Sequence, residues 1–244
     1  MLFNSYTFIF VFLPVVCLGF YAIGYWRYYR LALAWLVGAS LYFYGWWNPI
    51  YLGLMIFSVI FNYLTGWGLV KVEQKKIRRG LVMLGVATNL SLLGYFKYTT
   101  YFVETLNALR GSTYHIEHII LPLAISFFTF QQIAYLIDAY KGKMQETNFL
   151  QYFLFVTFFP QLIAGPIVHH QDMLPQFAKP HAFRFNHDHI ARGWTIFIIG
   201  LFKKVVLADG IAGYANIVFD AAENQAQITF FEGWVGALSY TFQL

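Results

Sequence analysis

The reading of the chain turns on residues 5–26, SYTFIFVFLPVVCLGFYAIGYW, a run from Ser5 to Trp26 that contains no Asp, Glu, Lys or Arg. A helix needs about 20 such residues to cross the hydrocarbon core of a bilayer. No Lys or Arg precedes the run, so it lacks the basic leader of a cleaved signal peptide. Arg27 and Arg30 follow it. Basic residues collect on the cytoplasmic side of a membrane, which predicts an N-terminus outside and these arginines inside.

The pattern repeats outward from there. Leu31–Trp47 and Ile50–Val70 are the next apolar runs, and Gly45-Trp46-Trp47-Asn48-Pro49 between them reads as a tight turn with interfacial tryptophans. Lys71 to Arg79 reads as a cytoplasmic loop. Leu81–Phe96 leads out to the polar stretch Lys97–His118, where Tyr101–Leu109 is either an interfacial helix or a continuation of the fourth helix. Ile119–Tyr140 returns and ends at Lys141-Gly142-Lys143. The three inner loops hold nine Lys/Arg and the outer ones two, which supports the orientation.

Phe149–Val168 is apolar but broken by Pro160, Gly165 and Pro166. Non-helical backbone survives at membrane depth only when buried in protein or lining a watery cavity. A re-entrant element is the expectation. After the polar loop His169–His189, Ile190–Ala208 is again apolar, with Arg192, Lys203 and Lys204 near its ends. The last run, Ile228–Leu244, holds roughly 17 residues, short of the ~20 that span. The expectation is therefore an incomplete chain. The predicted fold is all-α: one membrane domain over residues 1–244, a polytopic transmembrane helical bundle with a broken helix around Pro160–Pro166.

Composition agrees with this reading. The 244 residues are 59% hydrophobic and 11% charged, against about 45–50% and about 25% for a soluble domain. The net charge of +5 lies in clusters between apolar runs, as loop anchors do, which argues against a nucleic-acid partner and for a lipid bilayer. The single cysteine, Cys17, excludes an intrachain disulfide and a thiolate metal set, and reads as a small apolar residue.

Polar groups inside apolar runs are the candidates for chemistry, because each costs free energy unless paired. Ser126, Thr129, Gln131 and Gln132 lie in Ile119–Tyr140, Gln161 directly follows Pro160, and Asn62 and Asn89 lie in the third and fourth runs. Interhelical hydrogen bonding is the structural alternative for each of them. Lys97 either snorkels to the headgroups or faces a polar funnel. The candidate tunnel residues are Gln161, Pro160, Gly165, Pro166, Gln131, Ser126 and Lys97. The pairs His115/His118, His169/His170 and His187/His189 lack the further ligands a metal needs, so no metal site is expected. No phosphate loop, nucleophile elbow or HExxH is present.

Several strings, in order along the whole chain, resemble one family. They are Leu2-Phe3-Asn4-Ser5 with Phe12-Leu13-Pro14, Ser40 through Pro49, Leu92 through Tyr98, Leu121 through Gln131, and Phe158-Phe159-Pro160-Gln161-Leu162-Ile163-Ala164-Gly165-Pro166-Ile167. Leu174-Pro175-Gln176-Phe177 and Gly200 through Lys204 extend the match. Together they resemble the membrane-bound O-acyltransferase family, in the branch of alginate and peptidoglycan O-acetylation. Ala124 departs from the pattern, which has Gly there. The family's catalytic histidine follows an aromatic- and arginine-rich stretch downstream of Tyr240–Leu244, so no catalytic residue carries over to this chain.

The resemblance implies tilted helices around a thin centre in the bacterial inner membrane. It implies an acyl thioester donor such as acetyl-CoA on the cytoplasmic side, no bound cofactor, a periplasmic acetyltransferase partner and a polysaccharide acceptor. Two readings from other classes stand beside it. A transporter or flippase would show repeat symmetry or paired intramembrane charges, and the sequence shows neither. A non-catalytic membrane scaffold applies if the natural chain stops at Leu244.

Overall fold

Asn48 and Pro49 make the predicted turn. The Asn48 side chain accepts a hydrogen bond from the Ile50 amide (3.0 Å), and Pro49 opens the next helix, where its missing N–H costs nothing. This junction joins α2 (Tyr29–Gly45) to α3 (Pro49–Lys71). Before them, a π-helical turn Phe8–Phe12 runs into α1 (Leu13–Tyr25). The computed structural model describes residues 1–111, 114, 119–143, 148–162, 165 and 170–243. Their secondary structure is entirely helical. Among the described residues, three helices are long and apolar enough to cross a membrane: Phe8–Tyr25, Pro49–Lys71 and Lys75–Arg110.

Two boundaries differ from the sequence expectation. Only Val72, Glu73 and Gln74 are non-helical in the charged stretch after α3, because α4 (Lys75–Arg110) begins inside it. Lys and Arg are good helix formers, so a charge cluster marks a membrane boundary without ending a helix. The same helix runs on through Tyr101–Leu109, the second of the two alternatives for that stretch. Its 36 residues reach about 54 Å at 1.5 Å per residue, well beyond a hydrocarbon core of about 30 Å.

The fifth helix starts later than its apolar run. Residues 119–124 are non-helical, and α5 covers Ile125–Tyr140. Pro122 has no amide to donate, and Ala124 sits in the left-handed region (φ 57°, ψ 17°). Two tyrosines satisfy carbonyls of this segment: the Tyr51 hydroxyl donates to Ile120 O (2.6 Å) and Tyr44 to Leu123 O (3.1 Å).

The helix after it breaks as expected, one residue before the Phe-Pro pair. α6 (Phe149–Thr157) ends at Phe158, and a single turn, α7 (Phe159–Leu162), follows. A continuous helix would need an amide at Pro160 and would press its ring on the carbonyl four residues back. Restarting the helix at Phe159 places Pro160 in a first turn, where it is tolerated. The freed Phe159 amide donates to the buried Ser40 hydroxyl of α2 (3.2 Å).

The chain divides into two compact units. The first comprises residues 1 and 14–184. Its centre is α2, α3, α5 and α6, with α4 packed on α3 and α5. Phe43, Tyr44, Met55, Val59, Leu136, Tyr152 and Leu154 fill the interior. Gly66 of α3 admits the Tyr135 ring so closely that a Cβ there would lie 2.3 Å from it. α8 (His170–Ala178) and a 3₁₀ turn at Pro180–Phe183 complete the unit, with Phe183 packed on Phe20 and Tyr29.

The second unit comprises residues 2–13 and 185–244. Asn186 caps α9 (His187–Phe202) by accepting from the amides of Asp188 and His189. α9 passes through a π-helical segment, Lys203–Ala208, into α10 (Asp209–Glu223). This segment brings Lys204 onto the same face as Asp209, five residues on, and the two form an ion pair. The apolar run that stopped at Ala208 in the sequence is thus the first part of a longer helical rod. α11 (Phe230–Gln243) folds back on α10, with Gly236 against Val218 and Phe219 beside Tyr240 (5.3 Å). Thr229 and Glu232 cap its start reciprocally. Ile196, Ile199 and Phe202 stay exposed, as on a lipid-facing surface.

Candidate functional site

The polar groups of the first unit fall into two sets. In the first set every described polar atom that matters is paired. Asn62 of α3 and Asn89 of α4 exchange two side-chain hydrogen bonds (3.1 and 2.6 Å), and each amide also donates to a carbonyl one turn back, Ser58 O and Gly85 O. Gln132 of α5 donates to the Ser58 hydroxyl (3.1 Å), and the Tyr152 hydroxyl of α6 reaches the Gln132 carbonyl (3.4 Å). The Tyr135 and Tyr152 rings meet at 4.2 Å between centroids. These residues tie α3, α4, α5 and α6 together, the interhelical role weighed for Asn62, Asn89 and Gln132 from sequence.

The second set is not paired. Gln131 of α5 is 2% exposed, and neither its oxygen nor its nitrogen has a hydrogen-bond partner among the described residues. Gln161, in the single turn after the break, is 8% exposed, and its side-chain nitrogen likewise has none. A buried amide left unpaired costs about 1–3 kcal/mol. Such groups in a native interior call for water or a ligand.

The break itself is held tightly. The Gly165 amide donates to Gln161 O (3.1 Å). A Cβ on Gly165 would lie 2.7 Å from Gln161 Cα and 2.8 Å from Gln161 O, so only glycine lets this backbone close over Gln161. Pro160 is exposed in the same turn. Ser126, in the first turn of α5, and Lys97, which lies over the Tyr98 ring (5.5 Å), are both exposed and stand apart from the buried groups. Pro166, His115, His118 and His169 lie outside the described residues.

Ser40, Ser58 and Tyr152 were not singled out in the sequence. A signal for Ser58 existed: Met55, Ser58, Val59, Asn62, Thr65, Gly66 and Leu69 are all buried and recur every three or four residues along α3. That stripe of small and polar residues is how helices approach closely and hydrogen-bond inside a membrane.

The model of the MBOAT, membrane-bound O-acyltransferase, family matches residues 87–243, more than half of the chain. The chain belongs to the membrane-bound O-acyltransferase family. It is 44% identical, over an alignment 270 positions long, to a Helicobacter pylori protein named "Peptidoglycan O-acetyltransferase", an alignment covering 100% of this chain and 51% of that protein. It is 40% identical over 252 residues to "Probable alginate O-acetylase AlgI" of Pseudomonas aeruginosa, covering 100% and 46%. The Azotobacter vinelandii protein of the same name is 39% identical, with 100% and 48% covered. The chain spans about half the length of the curated relatives it matches. No solved structure matches it. Membership in this family, together with the three candidate spans among the described residues, makes the chain a membrane protein.

Proposed function

We propose that this chain supplies the N-terminal part of an O-acetyltransferase of the bacterial inner membrane. It is multi-pass, with its N-terminus outside. The enzyme moves an acetyl group from a cytoplasmic thioester, acetyl-CoA or a related acyl thioester, to hydroxyls of a cell-envelope or exported polysaccharide. A periplasmic acetyltransferase serves as partner in the final transfer. The observation that carries the reading is the 44% identity, along the whole chain, to a protein named as a peptidoglycan O-acetyltransferase.

In this reaction an oxygen nucleophile attacks the thioester carbonyl, the C–S bond breaks, and the thiol leaves as the acyl–oxygen bond forms. A general base within hydrogen-bond reach must accept the hydroxyl proton. That base is the downstream histidine that the family resemblance implies. The present residues contribute the path. Both side-chain polar atoms of Gln131 and the side-chain nitrogen of Gln161 are buried without described partners, suited to a carbonyl or hydroxyl passing through the interior. Pro160 and Gly165 set the break that positions Gln161.

The test uses the full-length enzyme in cells. Gln161→Ala is expected to reduce polysaccharide acetylation, read from released acetate, with membrane insertion unchanged. Unaltered acetylation in that variant refutes the role of Gln161 and leaves the family assignment standing.

A further inference from the structure

One end of the first unit concentrates cations. Lys71 closes α3, three residues make the turn, and Lys75, Lys76 and Arg79 occupy the first turns of α4. Arg78 draws a third helix to the same place. Its Nη2 donates to the carbonyls of Ala139 (3.3 Å) and Tyr140 (2.6 Å), and its guanidinium lies 5.6 Å from the Tyr140 ring centroid. This fixes the C-terminus of α5, and Lys141 and Lys143 beyond it, beside the start of α4. Lys71, Lys75, Lys76, Arg79, Lys141 and Lys143 are all exposed. The acids at this end, among the described residues, are exposed Glu73 and half-buried Asp138.

The cations border apolar surface on the same helices. Trp67, one turn before Lys71, is 50% exposed, and Ile77 is 47% exposed. The Lys71 ammonium lies 5.8 Å from the Trp67 ring centroid. A side chain in that pose carries its charge to the headgroup layer while its stem stays with apolar neighbours. A ligand that meets both features has an anionic head and an apolar tail.

We propose that this end of the bundle binds anionic phospholipid, with the phosphodiester headgroup held by Lys75, Lys76 and Arg79 and the acyl chains laid along Trp67 and Ile77. Clusters of four to eight Lys/Arg beside a membrane helix attract anionic lipid in this way, with roughly a fivefold gain in affinity per cation. Arg78 is the positioning residue, its Nη2 donating to α5 carbonyls rather than outward.

The test is native mass spectrometry of the full chain in a neutral detergent, titrated with phosphatidylglycerol or phosphatidylcholine. The wild type is expected to retain phosphatidylglycerol several-fold better, and the preference is expected to fade toward about 1 M salt, where the Debye length shrinks to about 3 Å. Lys75→Gln/Lys76→Gln/Arg79→Gln is expected to lose most of the preference, whereas Lys97→Gln, far along α4, keeps it. Should the triple variant fail to fold, the salt series on the wild type still decides the question. Equal retention of the two lipids, or a preference indifferent to salt or to the triple variant, overturns the proposal. Pyrophosphate that displaces the lipid and binds more tightly in its place would assign the patch to a soluble polyphosphate and overturn it as well.

Discussion

Replacing Asn62 and Asn89 by leucine, singly and together, measures how the polar frame holds α3 to α4. Both side chains are 1% exposed and share two hydrogen bonds. Interhelical bonds of this kind contribute typically ~0.6 and at most ~1.7 kcal/mol each. The pair should therefore couple by about 1–2 kcal/mol. Either single substitution leaves the opposite side-chain oxygen without its donor, while that side chain's nitrogen keeps its bond to a carbonyl one turn back, so each should destabilise by about 1–2 kcal/mol. Leucine in both positions leaves no stranded oxygen. The double variant should then cost less than the two singles added, by the coupling energy. The assay is equilibrium unfolding of the detergent-solubilised chain. Additivity within about 0.5 kcal/mol, the figure for independent sites, would refute the claim that the two amides act as one unit.

Three further substitutions probe separate features. Gly66→Ala places a Cβ against the Tyr135 ring and should lower stability by about 1–3 kcal/mol through overpacking; an unchanged melting temperature would count against this close approach. Ala124→Gly should stabilise by about 0.5–1 kcal/mol, since a left-handed alanine costs roughly 1–2 kcal/mol and glycine returns part of that through its freer unfolded chain; a loss of stability would contradict the left-handed backbone at the start of α5. Gln131→Leu should raise the thermal stability of the chain by about 1–2 kcal/mol, because it removes an unpaired buried amide, and should reduce acetyl transfer in the full-length enzyme. A gain in stability with transfer intact would show that Gln131 touches no substrate.

Much of the helical order was legible because local chemistry wrote it. The Asn48-Pro49 cap and the Pro160 break each follow from one side chain's effect on the backbone. The start of α4 was less legible, since Lys75 to Arg79 suit a polar loop and the first turns of a helix equally well. The start of α5 was hidden for another reason. Ile119 to Ala124 is as apolar as the helix that follows, and only Pro122 with the left-handed Ala124 separates them. Ala124 departs from the family's glycine at this position, and its left-handed backbone gives the departure a steric meaning.

Gln131 and Gln132 show where pattern reading stops. They are the same residue type, adjacent, and both buried in α5. One helical step turns Gln132 toward Ser58 and Tyr152, where it is paired, and leaves Gln131 without a described partner. Periodicity places both in the interior but says nothing about which neighbour supplies a donor or an acceptor. Burial alone therefore identifies no site among the polar residues of a membrane helix. The distinction lies in the accounts of their atoms: Asn62, Asn89 and Gln132 spend theirs on neighbouring helices, and that fixes the frame. Gln131 and the nitrogen of Gln161 spend nothing within the described chain. A frame already held by the first set has no structural need of the second, so Gln131 and Gln161 are the positions at which the proposed acyl path is best tested.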